Sequence, residues 1–189
     1  MSYLDVYLTT GIPRWENTIP WLYKDSLGYF TTGQGIMLPN LAASLALPWQ
    51  SNDLSTPATE AEIASDWNRV SLLPGDKVAG FYHTATSLML KLADIQAISR
   101  SRVTALDAEL AHDFPSYATA PDPAKIALLD MGYNLGEGKL RNTYPHFDAA
   151  FDASNWFLCA KECTRDAGNA GFKDRNAYTV ALFTQAASA

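Results

Sequence analysis

The rhythm of apolar and polar positions changes along this chain. Up to about residue 56, aromatic residues are interrupted by glycine and proline; beyond it, apolar positions recur mostly at helical spacing. Residues 29–38, YFTTGQGIML, mix aromatics, threonines and glycines, which predicts a short β-hairpin or meander. Pro13 can open a short helix carrying Trp15 and Glu16, with Pro20 stopping it soon afterwards. Thr59 with Glu62 forms a capping-box pattern, Ile63, Trp67 and Val70 then share one helical face, and Pro74-Gly75 closes that element. Residues 78–92 are open between helix and strand, since Leu88, Leu90 and Leu92 alternate like a strand. From Asp94, Ile95, Ile98, Val103, Leu106, Leu110 and Phe114 fit a long amphipathic helix that stops before Pro115. Asp122-Pro123 marks another helix start and Gly136 its stop. Further helices are expected near 146–152, near 155–166 with Gly168 ending it, and over about 173–187. No internal repeat is visible. The sum is an α+β arrangement in one domain: a small β-containing N-terminal lobe (1–56), a mainly helical lobe (57–189) and a cleft between them.

Composition narrows the classes. With 48% hydrophobic and 18% charged residues among 189, the chain can build a sizeable core and is not a disordered one. Its 14 Lys and Arg against 20 Asp and Glu leave a net charge of −6, which argues against nucleic acid as a partner, because phosphate binding needs clustered cations. No stretch approaches the roughly 18 apolar residues of a membrane span. The start, MSYLDVYLTTGIPRWENTIPW, lacks the basic-then-apolar signature of a secretory signal, so synthesis in the cytoplasm and no membrane partner are the expectations. Cys159 and Cys163 stand four apart in a helical segment and share a face; two small core side chains explain them best, since a disulfide along one helix is awkward. His83, His112 and His146 show no ligand-like spacing to these cysteines or to each other, so no metal is expected.

The segment Trp15 to Gly35, WENTIPWLYKDSLGYFTTGQG, carries candidate chemistry. Glu16 stands at a helix end, Asp25 in a turn-prone KDSLG, and Thr31 on the presumed strand. A helix, a loop and a hairpin can turn these three towards one cleft. Glycosidic hydrolysis needs such a set: a protonated acid for the leaving oxygen, a carboxylate to activate water, and a hydroxyl to hold that water. Gly28, Gly33 and Gly35 stand where a tight hairpin needs permissive backbone.

Here the chain resembles the T-even-type phage lysozymes, glycoside hydrolase family 24. Their signature is a Glu, eight residues, an Asp, five residues and a Thr, in a context like YKDxxGYxTxGxG. This chain has Glu16, Asp25 and Thr31 at that spacing within YKDSLGYFTTGQG, and departs from the family where Gly35-Ile36 replaces the usual Gly-His. LDMGYNLGEG, Leu129 to Gly138, is similar to a family helix that ends at the sugar cleft, which implies substrate-binding roles for Tyr133 and Asn134. GFKDRNAYTVALF, Gly171 to Phe183, is similar to a late helix whose arginine pairs with the catalytic Glu, which implies Arg175 as a supporting partner of Glu16.

The resemblance implies a lysozyme-like fold and a muramidase without cofactors. Such an enzyme cleaves the β-1,4 bond between N-acetylmuramic acid and N-acetylglucosamine in peptidoglycan glycan strands. Glu16 is then the general acid, and Asp25 with Thr31 activates water in an inverting reaction. Two delivery routes share this chemistry. DMGYNLGEGKL, the Trp156-to-Cys163 stretch and GFKDRNAYTVALF also look similar to lysozyme-like toxins sent into rival cells by type VI secretion. Those act on the target's periplasmic peptidoglycan and can come with an immunity protein. The acidic balance favours this route over a phage endolysin, since endolysins of the family are often basic. A non-catalytic glycan-binding domain on the same fold is a third reading, opposed by the intact catalytic triple. A monomer is the default oligomeric state.

Overall fold

The computed structural model describes residues 1–136, 140–141, 143–166 and 170–188. The chain opens with α1 (Tyr3–Val6), a π-helical turn (Tyr7–Gly11) and α2 (Ile12–Trp15). Strands β1 (Ile19–Lys24), β2 (Phe30–Gly33) and β3 (Ile36–Met37) follow, then α3 (Leu41–Leu45), β4 (Gln50–Ser51), α4 (Glu60–Ser71), α5 (Ala79–His83) and β5 (Leu88–Met89). The long α6 (Leu92–Asp113) leads to α7 (Asp122–Leu135), α8 (Pro145–Asp152), α9 (Trp156–Glu162) and α10 (Lys173–Ala186). This is an α+β chain with a small antiparallel sheet and several helices. Among the described residues no helix is long and apolar enough to cross a membrane.

Two compact units organise these elements: Glu16–Arg100, and Met1–Trp15 together with Ser101–Ala189. The division differs from the one expected near residue 56. The change of texture there is local, whereas α4, α5 and β5 beyond it share a core with the strands before it.

The Glu16–Arg100 unit is built on β1-β2-β3, an antiparallel sheet with Tyr23 opposite Thr31 and Thr31 opposite Met37. The β1–β2 pairing slips between Ile19 and Tyr23. Pro20 lies in that irregular stretch, where a residue without an N–H is tolerated; rather than only stopping a helix, it has entered a strand. Phe30 of β2 stacks nearly flat on Trp67 of α4, ring centroids 3.8 Å apart. That contact lays α4's apolar face, with buried Ile63 and Val70, against the sheet's neighbourhood. Thr59 and Glu62 form both halves of the capping box. The open stretch 78–92 resolves into α5 and the two-residue β5, with Leu88 and Leu90 buried but Leu92 exposed at the start of α6.

In the other unit α7 is buried almost all round, from Ala124 to Tyr133, as befits the central helix of a bundle. Its first residue is Asp122, though no side chain caps it, and it ends at Gly136 with φ 80°. Tyr7 and Ile12, from the start of the chain, belong to the same core as α6, α7 and α10. Phe114, Phe147, Phe151, Trp156 and Phe183 form an aromatic cluster with largely edge-to-face packing. Cys159 and Cys163 are free, buried thiols in this core, as two small apolar side chains would be. The helix expected over 155–166 ends earlier, at Glu162; Gly168, its expected stop, lies outside the described residues, as do Glu137 and Gly138 of the LDMGYNLGEG stretch.

Candidate active site

Glu16 is the first residue after α2, on the short connection 16–18 into β1, and is half-buried. Its carboxylate lies against the turn between β2 and β3. A Cβ built on Gly35 would stand 3.0 Å from Glu16 Oε2 and 3.5 Å from Cδ, and Gly35 has φ +73°. Both the backbone conformation and the close approach therefore require glycine at that point.

Asp25 sits on the other connection of the same sheet, directly after β1. Its N–H donates to the Tyr29 carbonyl at 2.9 Å, and Gly28 N–H donates to the Asp25 carbonyl at 3.0 Å. Its side-chain Oδ1 accepts from the N–H groups of Leu27 and Tyr29, each at 2.9 Å. The loop thus fixes the carboxylate through one oxygen and leaves Oδ2 outside the turn's hydrogen bonds. Thr31 is buried in β2, and its hydroxyl donates to the Tyr29 carbonyl at 3.0 Å. Lys24 pairs with Phe30, and the Asp25–Tyr29 hydrogen bonds extend that ladder by one step. Thr31 lies two residues beyond Tyr29, so Asp25 and Thr31 are diagonal cross-strand neighbours, about 7–8 Å apart at the backbone. Asp25 and Thr31 are therefore carried by the β1–β2 hairpin, and Glu16 by the 16–18 segment that leads into β1, its carboxylate against the β2–β3 turn.

Gln34 is a residue of this region that the sequence reading passed over. It stands between Gly33 and Gly35, is buried, and its side chain donates to Thr18 Oγ1 at 3.2 Å while accepting from Ser99 Oγ at 3.0 Å. A long polar side chain flanked by two turn glycines was the available signal.

The remaining expected residues belong to the other unit. Tyr133, near the end of α7, is mostly buried, packs edge-on to Tyr7 at 6.2 Å and carries the Arg102 guanidinium 5.4 Å above its ring. It lines an open pocket of about 370 Å³ together with Arg102, Leu106, Glu109 and Gly132. Asn134, next along, is half-buried and has its Oδ1 buried without a hydrogen-bond partner among the described residues. Arg175 is no solvated surface side chain. It is 6% exposed, with Nη2 3.0 Å and Nε 3.2 Å from the Asp130 carboxylate, and its guanidinium lies 5.9 Å from the Trp15 ring centre.

Asp130 and Arg165 complete that cluster. Asp130 is fully buried; Arg165, 1% exposed, donates to its Oδ2 at 2.9 Å, and also to Thr179 Oγ1 and the Arg175 carbonyl. Asn176 Oδ1 accepts from the Arg165 backbone N–H at 3.1 Å, and Asn176 Nδ2 donates back to the Arg165 carbonyl at 2.7 Å. One carboxylate thus holds two guanidiniums in the buried interior. A lone charge inside the apolar run IALLDMGY pointed to Asp130, whereas nothing around Arg165 set it apart from a surface arginine.

Among the described residues no group of three or more His, Cys, Asp or Glu is placed to hold a metal ion. Compared with known proteins, the chain matches no family model and no curated protein sequence.

Proposed function

We propose that this chain is a lysozyme-like muramidase that hydrolyses the β-1,4 bond between N-acetylmuramic acid and N-acetylglucosamine in peptidoglycan. The observation that carries the reading is the shared frame of the three residues. Glu16 rests on one connection of the small sheet, Asp25 is locked into the other, and Thr31 lies diagonally beside Asp25 on the strand between. Their spacing along the chain is that of the T-even-type phage lysozymes.

The local hydrogen bonds support a division of the work among these atoms. Glu16 gives its proton to the glycosidic oxygen as the bond to the anomeric carbon breaks. A water attacks that carbon from the opposite face and loses a proton to Asp25. Because Oδ1 is already engaged by two backbone amides, Oδ2 is the oxygen that takes this proton. Thr31 spends its hydroxyl proton on the Tyr29 carbonyl, so its oxygen meets the water as an acceptor and fixes the direction of the lone pair used for attack. A single displacement inverts the anomeric carbon, for which carboxyl groups about 6.5–9.5 Å apart are suited. Tyr133 and Asn134 are given a part in holding the sugar, and Arg175 a part in supporting the acid.

The test is loss of turbidity of purified peptidoglycan by the native chain, Glu16→Gln and Asp25→Asn, with muropeptide analysis of the new reducing end. The native chain is expected to release N-acetylmuramic acid ends, with the α anomer first by NMR, and both variants to be inactive. Full activity in both variants refutes the assignment; binding of the wall without cleavage by the native chain favours a glycan-binding domain. For the route to the wall, the net charge of −6 favours a toxin delivered into rival cells, with an immunity protein as partner, over a phage endolysin.

A further inference from the structure

Glu16 lies on no regular element. Residues 16–18 belong to neither α2 nor β1. The turn Gly33-Gln34-Gly35 is seated on α6 in two ways. A Cβ at Gly33 would meet Ile95 Cγ2 at 3.3 Å, and Ser99, one helical turn beyond Ile95 on the same face, donates its hydroxyl to Gln34 Oε1 at 3.0 Å. The other end of the Gln34 amide donates to Thr18 Oγ1 at 3.2 Å, two residues from Glu16. Gly35, next to Gln34, supplies the backbone against which the Glu16 carboxylate lies.

We propose that Gln34 is a positioning residue for Glu16: its amide ties α6, through Ser99, to the 16–18 connection, and so sets where the Glu16 carboxyl stands. The inference rests on Glu16 being the general acid of the reading above. Gln34 is buried and its two ends are used by partners 65 and 16 residues away in sequence, whereas an amide needed only to satisfy a turn would bond locally. The same tie explains why Ile36 can follow Gly35: this position is buried in the apolar core, and the polar anchor of the turn is one step earlier, at Gln34.

Three variants test it. Gln34→Met keeps the length of the side chain and removes both polar atoms. Thr18→Val removes one hydroxyl from an exposed residue at constant shape, and Thr18→Ser retains that hydroxyl. Misplacing a reacting group by about 1 Å costs up to about a hundredfold in rate. Gln34→Met and Thr18→Val are therefore expected to lower kcat about ten- to a hundredfold with KM changed less than about twofold, and Thr18→Ser to behave as the native chain. The side-chain carboxyl ¹³C signal of Glu16 is expected to move in the first two variants and stay in the third. Native kcat with an unmoved Glu16 signal in Gln34→Met and Thr18→Val overturns the proposal. If the native chain leaves peptidoglycan intact, the muramidase reading fails instead, and the Glu16 signal alone decides whether Gln34 sets its position.

Discussion

Asp130 offers the sharpest test of what holds the helical unit together. Its carboxylate has no solvent exposure and is clamped by Arg165 at 2.9 Å and Arg175 at 3.0 Å, themselves 1% and 8% exposed at their side chains. Asp130→Ala removes the carboxylate that both buried guanidiniums contact. Removing one partner of a buried pair costs about 3–5 kcal/mol, because the remaining charge has lost water and gained nothing in exchange. For a chain of this size each kcal/mol lowers Tm by about 2–4 °C, so a fall of roughly 6–20 °C is expected. Urea unfolding followed by far-UV circular dichroism measures the loss directly. Asp130→Asn, which keeps an acceptor and the shape, is expected to lose less. The double variant Asp130→Ala with Arg165→Met is expected to lose less than the sum of its parts, since the second change removes a stranded cation. A loss below about 1 kcal/mol for Asp130→Ala would mean that water reaches the guanidiniums, and the account of a buried carboxylate that holds two cations would be wrong.

Other outcomes follow from single residues. Gly35→Ala places a methyl 3.0 Å from Glu16 Oε2 at a φ of +73°; it should destabilise by about 1–2 kcal/mol and reduce wall digestion, and native rates in the variant would show that Glu16 has room to give. Asp148 on α8 is pushed up to about 6 by burial, partly offset by the Arg141 guanidinium. The folded chain then keeps a proton that the unfolded chain releases from about pH 4, so this group's stabilising effect is full in acid and is lost as pH rises through about 6. Asp148→Asn should accordingly raise Tm at about pH 7 and not in acid, and thermal melts showing no gain at neutral pH would refute it. Burial also pushes the Cys159 thiol up to about 12 and the Cys163 thiol up to about 11. Neither should react with a disulfide reagent in the native chain at about pH 8, and both should react in urea; rapid native labelling would contradict their burial.

What could be read from the sequence was what neighbours in the chain decide. The capping box at Thr59 and Glu62 and the apolar spacing that predicts α6 both depend on residues a few positions apart, and both are found in the structure. The two-residue β5 was only half legible: Leu88 stands in an alternating stretch open between helix and strand, and it becomes a strand by pairing with Ser51, as Met89 does with Gln50, far back in the chain. The same distinction divides the candidate site. Glu16, Asp25 and Thr31 are close in sequence and announce themselves by spacing. Gln34 and Arg165 take their meaning from Ser99 and Asp130, which no local pattern links to them. The division between Trp15 and Glu16 likewise depends on distant partners: Tyr7 and Ile12 join a core supplied by residues beyond 100.

That last arrangement has a consequence for a chain emerging from the ribosome. The core of the stretch Glu16–Arg100 is complete as soon as residue 100 is out, whereas Met1–Trp15 must wait for α7 and α10 before it can be covered. At about 5–20 residues per second the interval is on the order of 5–15 s, during which an apolar leading segment is exposed. The Tyr3 hydroxyl, which finally donates to Asp107 at 2.8 Å, lacks that acceptor until residue 107 has been added. A nascent chain halted just past residue 100 would thus display one finished core and an uncovered Met1–Trp15 segment, which makes this stage the natural point for a chaperone to engage.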